Sequence, residues 1–185
     1  MTMDTYRLVR ACMEDAGEMA NLVACVYQQL PDRSIFSAAN INESYITEEF
    51  LRGGYGVLAR TEDGRLAGIL LACVPDGEDN LGRDAGLPEA ELPYVLHMDA
   101  SAVLPEHRGH HLEKRMLKAA EEMADEKYRW FLCTVSPINP ASLITVQKSG
   151  YRIMATKEKY QGKLRHILMK RRGDAEQGGV SREQE

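Results

Sequence analysis

Apolar and polar positions along the chain follow two periods, and the switches between them mark the elements. Residues 6–10 alternate as a strand does. Glu14 and Asp15 then place acids where a helix starts, and Met19, Leu22, Val23, Val26 and Leu30 fall on one helical face. Residues 31–40 have the composition of a loop. A shorter helix over 42–51 is opened by Asn42 or Ser44 and stopped by Gly53-Gly54. Residues 55–60 and 65–74 read as strands joined through Glu62-Asp63-Gly64, a strong hairpin signal. The next strand, 94–104, is long enough to kink.

A helix over 109–127 has the clearest pattern. Leu112, Met116, Ala119, Ala120 and Met123 share one side, with Glu113, Lys114, Lys118, Glu122 and Asp125 opposite. Residues 130–135 form an apolar run of the kind buried on both faces of a parallel pairing. Asn139-Pro140 suits a helix entry and Gly150 an exit, and 151–156 with 164–170 complete a strand pair. The predicted order is β α α β β β α β α β β: one α/β domain over residues 1–172 around a mixed sheet, followed by a polar, disordered tail over 173–185. The unit from 94 to 135 is expected to cross over right-handed, placing the start of its helix beside the carboxyl end of its first strand.

Composition narrows the class. With 44% hydrophobic and 28% charged residues in a chain of 185, a full core can be buried unaided. The longest apolar run, 69–74, is far short of the roughly 20 residues needed to cross a bilayer. The first residues show neither a basic nor an apolar leader region, so a cytoplasmic location is expected. A net charge of -5 argues against nucleic acid as partner. Cys12, Cys25, Cys73 and Cys133 lie far apart in apolar stretches and read as buried thiols. The charge is uneven. Residues 75–93 carry six acids against Arg83 without a sustained period, which reads as a lid or mobile insertion that would favour a cationic acceptor.

The chemistry concentrates where the strand ending at Leu104 meets the next helix. Pro105 ends the pairing, Arg108 supplies a donor fork, and a helix N-terminus aims backbone amides at an anion. Val103-Leu104-Pro105-Glu106-His107-Arg108-Gly109, followed by an amphipathic helix, resembles the acetyl-CoA site of the GNAT superfamily of N-acetyltransferases. Asn139-Pro140-Ala141-Ser142, running on to Lys148-Ser149-Gly150-Tyr151, is similar to a second segment of that family. The resemblance covers all but the tail. It implies the GNAT fold: a mixed, mostly antiparallel central sheet with one parallel crossover pair and flanking helices.

By resemblance, acetyl-CoA is the co-substrate and an amine the acceptor. The backbone of Ala102, Val103 and Leu104 would hold the pantetheine, Arg108, Gly109, His110, His111, Leu112 and Glu113 the pyrophosphate, and Asn139 with Ser142 the thioester end. The family has glycine where His111 and Glu113 stand. A helical backbone does not need positive φ, so His111 is expected to be helical. Glu113 would repel a diphosphate it faced, and protonated His110 or His111 would offset that.

An ammonium must lose a proton before it attacks a thioester. Strand alternation puts Val95, His97, Asp99, Ser101 and Val103 on one face, and either Asp99 or His97, with Asp99 orienting it, can serve as base. Val146 stands where many family members have an acidic tyrosine. Ser142, Tyr151 or Tyr160 can substitute, or the thiolate can leave unaided, its thiol pKa being about 8.5. The cluster of His107, His110, His111 and Glu113 is not expected to bind a metal, since His107 precedes the helix and no second ligand group stands near in sequence. The basic run Arg165-His166 and Lys170-Arg171-Arg172 reads as a solvated edge. Two rival readings keep the fold: a coenzyme-binding or ligand-sensing module without turnover, favoured by Val146, His111 and Glu113, and an interaction module without coenzyme. A homodimer is the default assembly.

Overall fold

Every element read from the pattern recurs in the computed structural model, which describes residues 6–38 and 40–175. Seven strands form one sheet: β1 (Arg7–Arg10), β2 (Tyr55–Arg60), β3 (Leu66–Cys73), β4 (Val95–Val103), β5 (Trp130–Val135), β6 (Arg152–Lys159) and β7 (Lys163–Arg171). Their spatial order is β1-β2-β3-β4-β5-β7-β6, antiparallel throughout except for the parallel β4–β5 pair. This is the mixed sheet expected. Of the tail, the structure describes only residues 173–175, and the rest lies outside the described residues.

Helices α1 (Ala16–Gln28) and α2 (Glu43–Leu51) cover one face. The wholly buried β3 places Ile69, Leu71 and Cys73 against them, and Met19, Val23 and Ile46 close that layer. Asn42 caps α2, its side chain accepting from the Tyr45 amide at 2.9 Å. The amphipathic α4 (Leu112–Met123) and α5 (Pro140–Lys148) cover the other face, where Met116 and Ala120 meet Leu70, Leu96 and Phe131. The Tyr55 hydroxyl donates to the Ala120 carbonyl across this layer.

Three readings are corrected. The acidic stretch is built into the fold as short turns around α3 (Leu81–Asp84), with Asn80, Leu81 and Leu92 buried. Asn80 Nδ2 donates to the Leu92 carbonyl while its Oδ1 accepts from the Gly82 amide, stapling the two ends together. Two of its acids pair with bases distant in sequence, Asp84 with Lys157 and Lys159 and Glu91 with Arg129, and the Trp130 indole N–H also donates to Glu91. Periodicity cannot show such long-range partners.

Second, α4 starts at Leu112 rather than 109. Gly109 (φ +83°) and His111 (φ +56°) both occupy left-handed backbone, so the turn before α4 is not helical and His111 holds a conformation that favours glycine. Third, part of the basic run is interior. Arg165 is 4% exposed and Lys170 7%. The Lys170 ammonium meets Glu121 of α4 at 2.6 Å, and the Tyr151 hydroxyl donates to the same carboxylate at 3.0 Å.

That buried group predicts a stability effect. Lys170→Met strands the Glu121 carboxylate and should cost about 3 kcal/mol in urea unfolding. The double variant with Glu121→Leu should recover most of the loss.

Candidate active site

The site grows out of one irregularity in β4. Against β3, Leu71 pairs with Ala100 and Ala72 with Met98, so Asp99 is an extra residue that β3 does not match. Such a bulge bends its strand and reverses the alternation beyond it. Before it, Met98 packs on the α4 side. After it, Ala100 and Ala102 face α1 and α2, while Val103 packs on the α4 side. Asp99 therefore shares a face with His97, but Ser101 and Val103 do not, which corrects the single-face reading.

The parallel pairing of β4 with β5 ends at the same place. It runs only from Val95↔Trp130 to His97↔Leu132, after which the strands part. The gap opens into a cavity of about 630 Å³. Along its β4 wall, the Leu104 amide donates to the Ala67 carbonyl at 2.9 Å, facing β3. Antiparallel alternation then turns the backbone of Ala102 to β3 as well, and that of Ser101 and Val103 toward the gap. Of the three strand residues expected to face a coenzyme through their backbone, Val103 turns its backbone to the gap, Ala102 and Leu104 turn theirs to β3, and Ser101, not singled out for this from the sequence, also faces the gap. Ser101 lines the cavity, and its Oγ is buried with no hydrogen-bond partner among the described residues.

Arg108, Gly109, His111, Leu112 and Glu113 line one end of the cavity. Leu112 and Glu113 open α4, and their amides have no acceptor within the helix. His110 lies outside the lining, its ring 5.3 Å from that of Tyr6. His107 Nδ1 lies 3.0 Å from the Tyr6 hydroxyl, which fixes the turn onto β1. Glu113 is half-buried, and Ser142 Oγ donates to it at 2.7 Å, linking α4 to α5 across the slot. Burial raises the Glu113 pKa to about 7, with the Ser142 bond pulling the other way. Asn139 caps α5, accepting from the Ser142 amide at 3.3 Å. Val146 is a buried part of the wall.

Asp99 faces the other half of the cavity. The Tyr45 hydroxyl donates to Asp99 Oδ2 at 3.1 Å, bringing in a residue of α2 that no sequence motif marked. The protein packed around it raises the Asp99 pKa, and the Tyr45 bond opposes that rise. His97 is placed elsewhere. It is 9% exposed, lies outside the lining and accepts the Leu81 amide on Nε2 at 3.1 Å. Burial lowers its pKa to about 4, so its ring is neutral, and it does not touch Asp99.

Tyr160 lines the cavity from the β6–β7 turn, where Tyr160, Gln161 and Gly162 all have positive φ. Its hydroxyl lies 3.2 Å from Thr134 Oγ1. Tyr151 lies outside the lining, on Glu121. Arg165, taken for a surface residue, lines the cavity. Its phase with Ile167 on β7, a charge in step with apolar positions, is a signal the sequence carried.

A sequence model of the acetyltransferase (GNAT) family matches residues 25–151. No curated protein matches the chain. Among solved structures, the yncA protein of Salmonella typhimurium, solved with its cofactor acetyl-CoA, superposes with TM-score 0.67 at 13% identity, covering 90% of this chain and 94% of that one. An acetyltransferase of Streptococcus pneumoniae gives 0.65 at 19%, covering 90% and 99%. The phosphinothricin acetyltransferase of Sinorhizobium meliloti, also in complex with acetyl-CoA, gives 0.64 at 14%, covering 90% and 88%. At these identities the likeness establishes the fold.

Glu113 supplies a prediction of its own. A carboxyl whose folded pKa lies above its ordinary value of 4.5 binds more protons folded than unfolded, so it lowers stability progressively as pH rises from 4.5 to about 7. Glu113→Gln should therefore raise the melting temperature at pH 8 and leave it nearly unchanged at pH 4.5. An equal shift at both would assign the effect to packing instead.

Proposed function

The chain belongs to the GNAT acetyltransferase family, and on that premise we propose that it moves an acetyl group from acetyl-CoA to a primary amine of a small molecule or peptide, by direct attack within a ternary complex. The observation that carries the reading is the slot between β4 and β5. One wall offers unpaired strand backbone, one end a cation beside a helix N-terminus, and the other half a carboxylate. Acetyl-CoA in the yncA and phosphinothricin acetyltransferase structures supports the choice of co-substrate.

Each group has a part. Backbone groups of Ser101 and Val103, with Ser101 Oγ, hold the extended arm of the coenzyme. Arg108 and the amides of Leu112 and Glu113 hold its pyrophosphate. Asp99 accepts the proton of the attacking ammonium, directly or through water, and the Tyr45 hydroxyl steadies the carboxylate. His97 is too buried, and too occupied with the Leu81 amide, for that task. As the N–C bond forms and the C–S bond breaks, the thiolate takes a proton from the Tyr160 hydroxyl or from water. Val146 cannot give one. The four cysteines are unpaired thiols, which supports a reducing, cytoplasmic setting.

A second reading, a coenzyme-binding module with little turnover, draws on Glu113. Where the family has glycine, a carboxylate tied to Ser142 stands in the wall of the slot. The two readings separate experimentally. Calorimetric titration with acetyl-CoA should give saturable binding, weakened roughly 10- to 100-fold by Arg108→Ala. Asp99→Asn should leave that affinity intact and lower kcat by about 10²- to 10⁴-fold. Normal affinity with no product from any amine, in the wild type as in the variant, would select the binding module. Absence of binding at millimolar coenzyme would overturn both.

A further inference from the structure

Arg165 is the charged group in the cavity that acetyl transfer as described leaves without a role. Its guanidinium sits on the sheet face that carries Asp99, held in place by neutral acceptors. Nη2 donates to the Ser34 carbonyl at 2.7 Å and to Ser37 Oγ at 3.2 Å, and Nη1 to the Leu164 carbonyl at 2.9 Å. Among the described residues no carboxylate pairs with it and its Nε–H has no acceptor. A buried cation without a counter-charge is costly, and the cost is offset when an anionic ligand supplies the partner.

Its neighbours give that ligand a direction. Tyr160 and Asp99 line the same cavity as Arg165, and the charges of Asp99 and Arg165 both reach the Tyr160 hydroxyl. Arg108, the cation assigned to the pyrophosphate, lies with the start of α4 instead. The acids of residues 75–93, which would have drawn a cationic acceptor, are absent from the lining.

We infer that the acceptor is an amino acid in the broad sense: its amine is presented to Asp99 while its carboxylate docks on Arg165. The inference rests on the acetyltransferase reading for the amine and on the geometry around Arg165 for the carboxylate. A carboxylate suits the site because guanidinium N–H groups donate charge-assisted bonds to it and Ser37 Oγ lies alongside. A purely structural Arg165, tethering the 33–37 loop to β7, predicts no preference for charge in the acceptor.

The test measures acetyl transfer to leucine, β-alanine and 6-aminohexanoate, each against its amide, with wild type, Arg165→Lys and Arg165→Met. In parallel, calorimetry measures binding of the N-acetyl acids and N-acetyl amides to the same proteins. At least one acid should exceed its amide roughly 10- to 100-fold in kcat/KM. Arg165→Met should bring that ratio close to one, and Arg165→Lys should leave it in between. Equal use of acids and amides by the wild type overturns the inference while leaving the transferase reading intact, as does a preference that survives in a folded Arg165→Met. Without transfer to any acceptor, the transferase reading falls and the binding arm decides: acid-selective binding lost in Arg165→Met sustains the anion site, and unselective or absent binding removes it. Should Arg165→Met fail to fold, the wild-type ratio and Arg165→Lys carry the same decision.

Discussion

One surplus residue organises this molecule. β3 and β4 are locked together by their ladder, and β4 takes up Asp99 only by bulging, which bends it away from β5. The pairing needed to continue a closed sheet is lost from that point on. The gap exposes strand backbone that a regular sheet would have consumed, and the cavity occupies it. The bulge also reassigns faces. Asp99 is left toward α2, where Tyr45 reaches it, while Ser101 and Val103 turn toward α4. A carboxylate and a strip of unpaired backbone thus arise on neighbouring positions from a single defect in register.

That explains what the sequence disclosed and what it withheld. Helix faces and strand alternation are local, so the elements and the mixed sheet were legible from apolar spacing. Side-chain period within β4 was legible up to Asp99 and misleading beyond it, because a bulge leaves no mark in composition. The turn before α4 was misjudged for a related reason. His111 is an ordinary residue in a helix-compatible pattern, and its positive φ belongs to a turn whose His107 and His110 rings pack on Tyr6. Asp99 and Arg108 could be named from the resemblance. Tyr45 could not, since α2 meets β4 only in three dimensions. Arg165 was there to be seen as a charge in phase with Ile167.

The distribution of charge corrects a tempting argument from composition. The acids after Val74 dominate the linear sequence, yet Arg83, Arg129, Lys157 and Lys159 pair with Asp84, Glu89 and Glu91 among them. The exposed pairs among them contribute little to stability, and all of them screen the field of these acids at a distance. The field inside the cavity is set by far fewer groups. Arg108 and Arg165 are cations in different halves, and Asp99 and Glu113 are carboxyls with raised pKa values. The overall negative charge of the chain therefore says little about what the cavity attracts.

Glu113 and His111 then belong to one trade. Glycine at both positions would let a phosphate lie close against the turn and the first amides of α4. Here His111 accepts left-handed backbone at some conformational cost, and Glu113 fills the space beside the helix start with a carboxyl half in solvent. Its bond to Ser142 ties α4 to α5 where the slot must admit a ligand. When protonated, Glu113 presents no charge to an approaching diphosphate, and when ionised it opposes one. Because burial moves that transition to near neutrality, the same side chain that replaces a glycine would, on the proposed reading, make the affinity of the slot depend on pH, while a rise in pH ionises both carboxyls of the cavity. The proposed proton transfer to Asp99 would require its ionised form, whereas the proposed anion binding beside Glu113 would favour the protonated one.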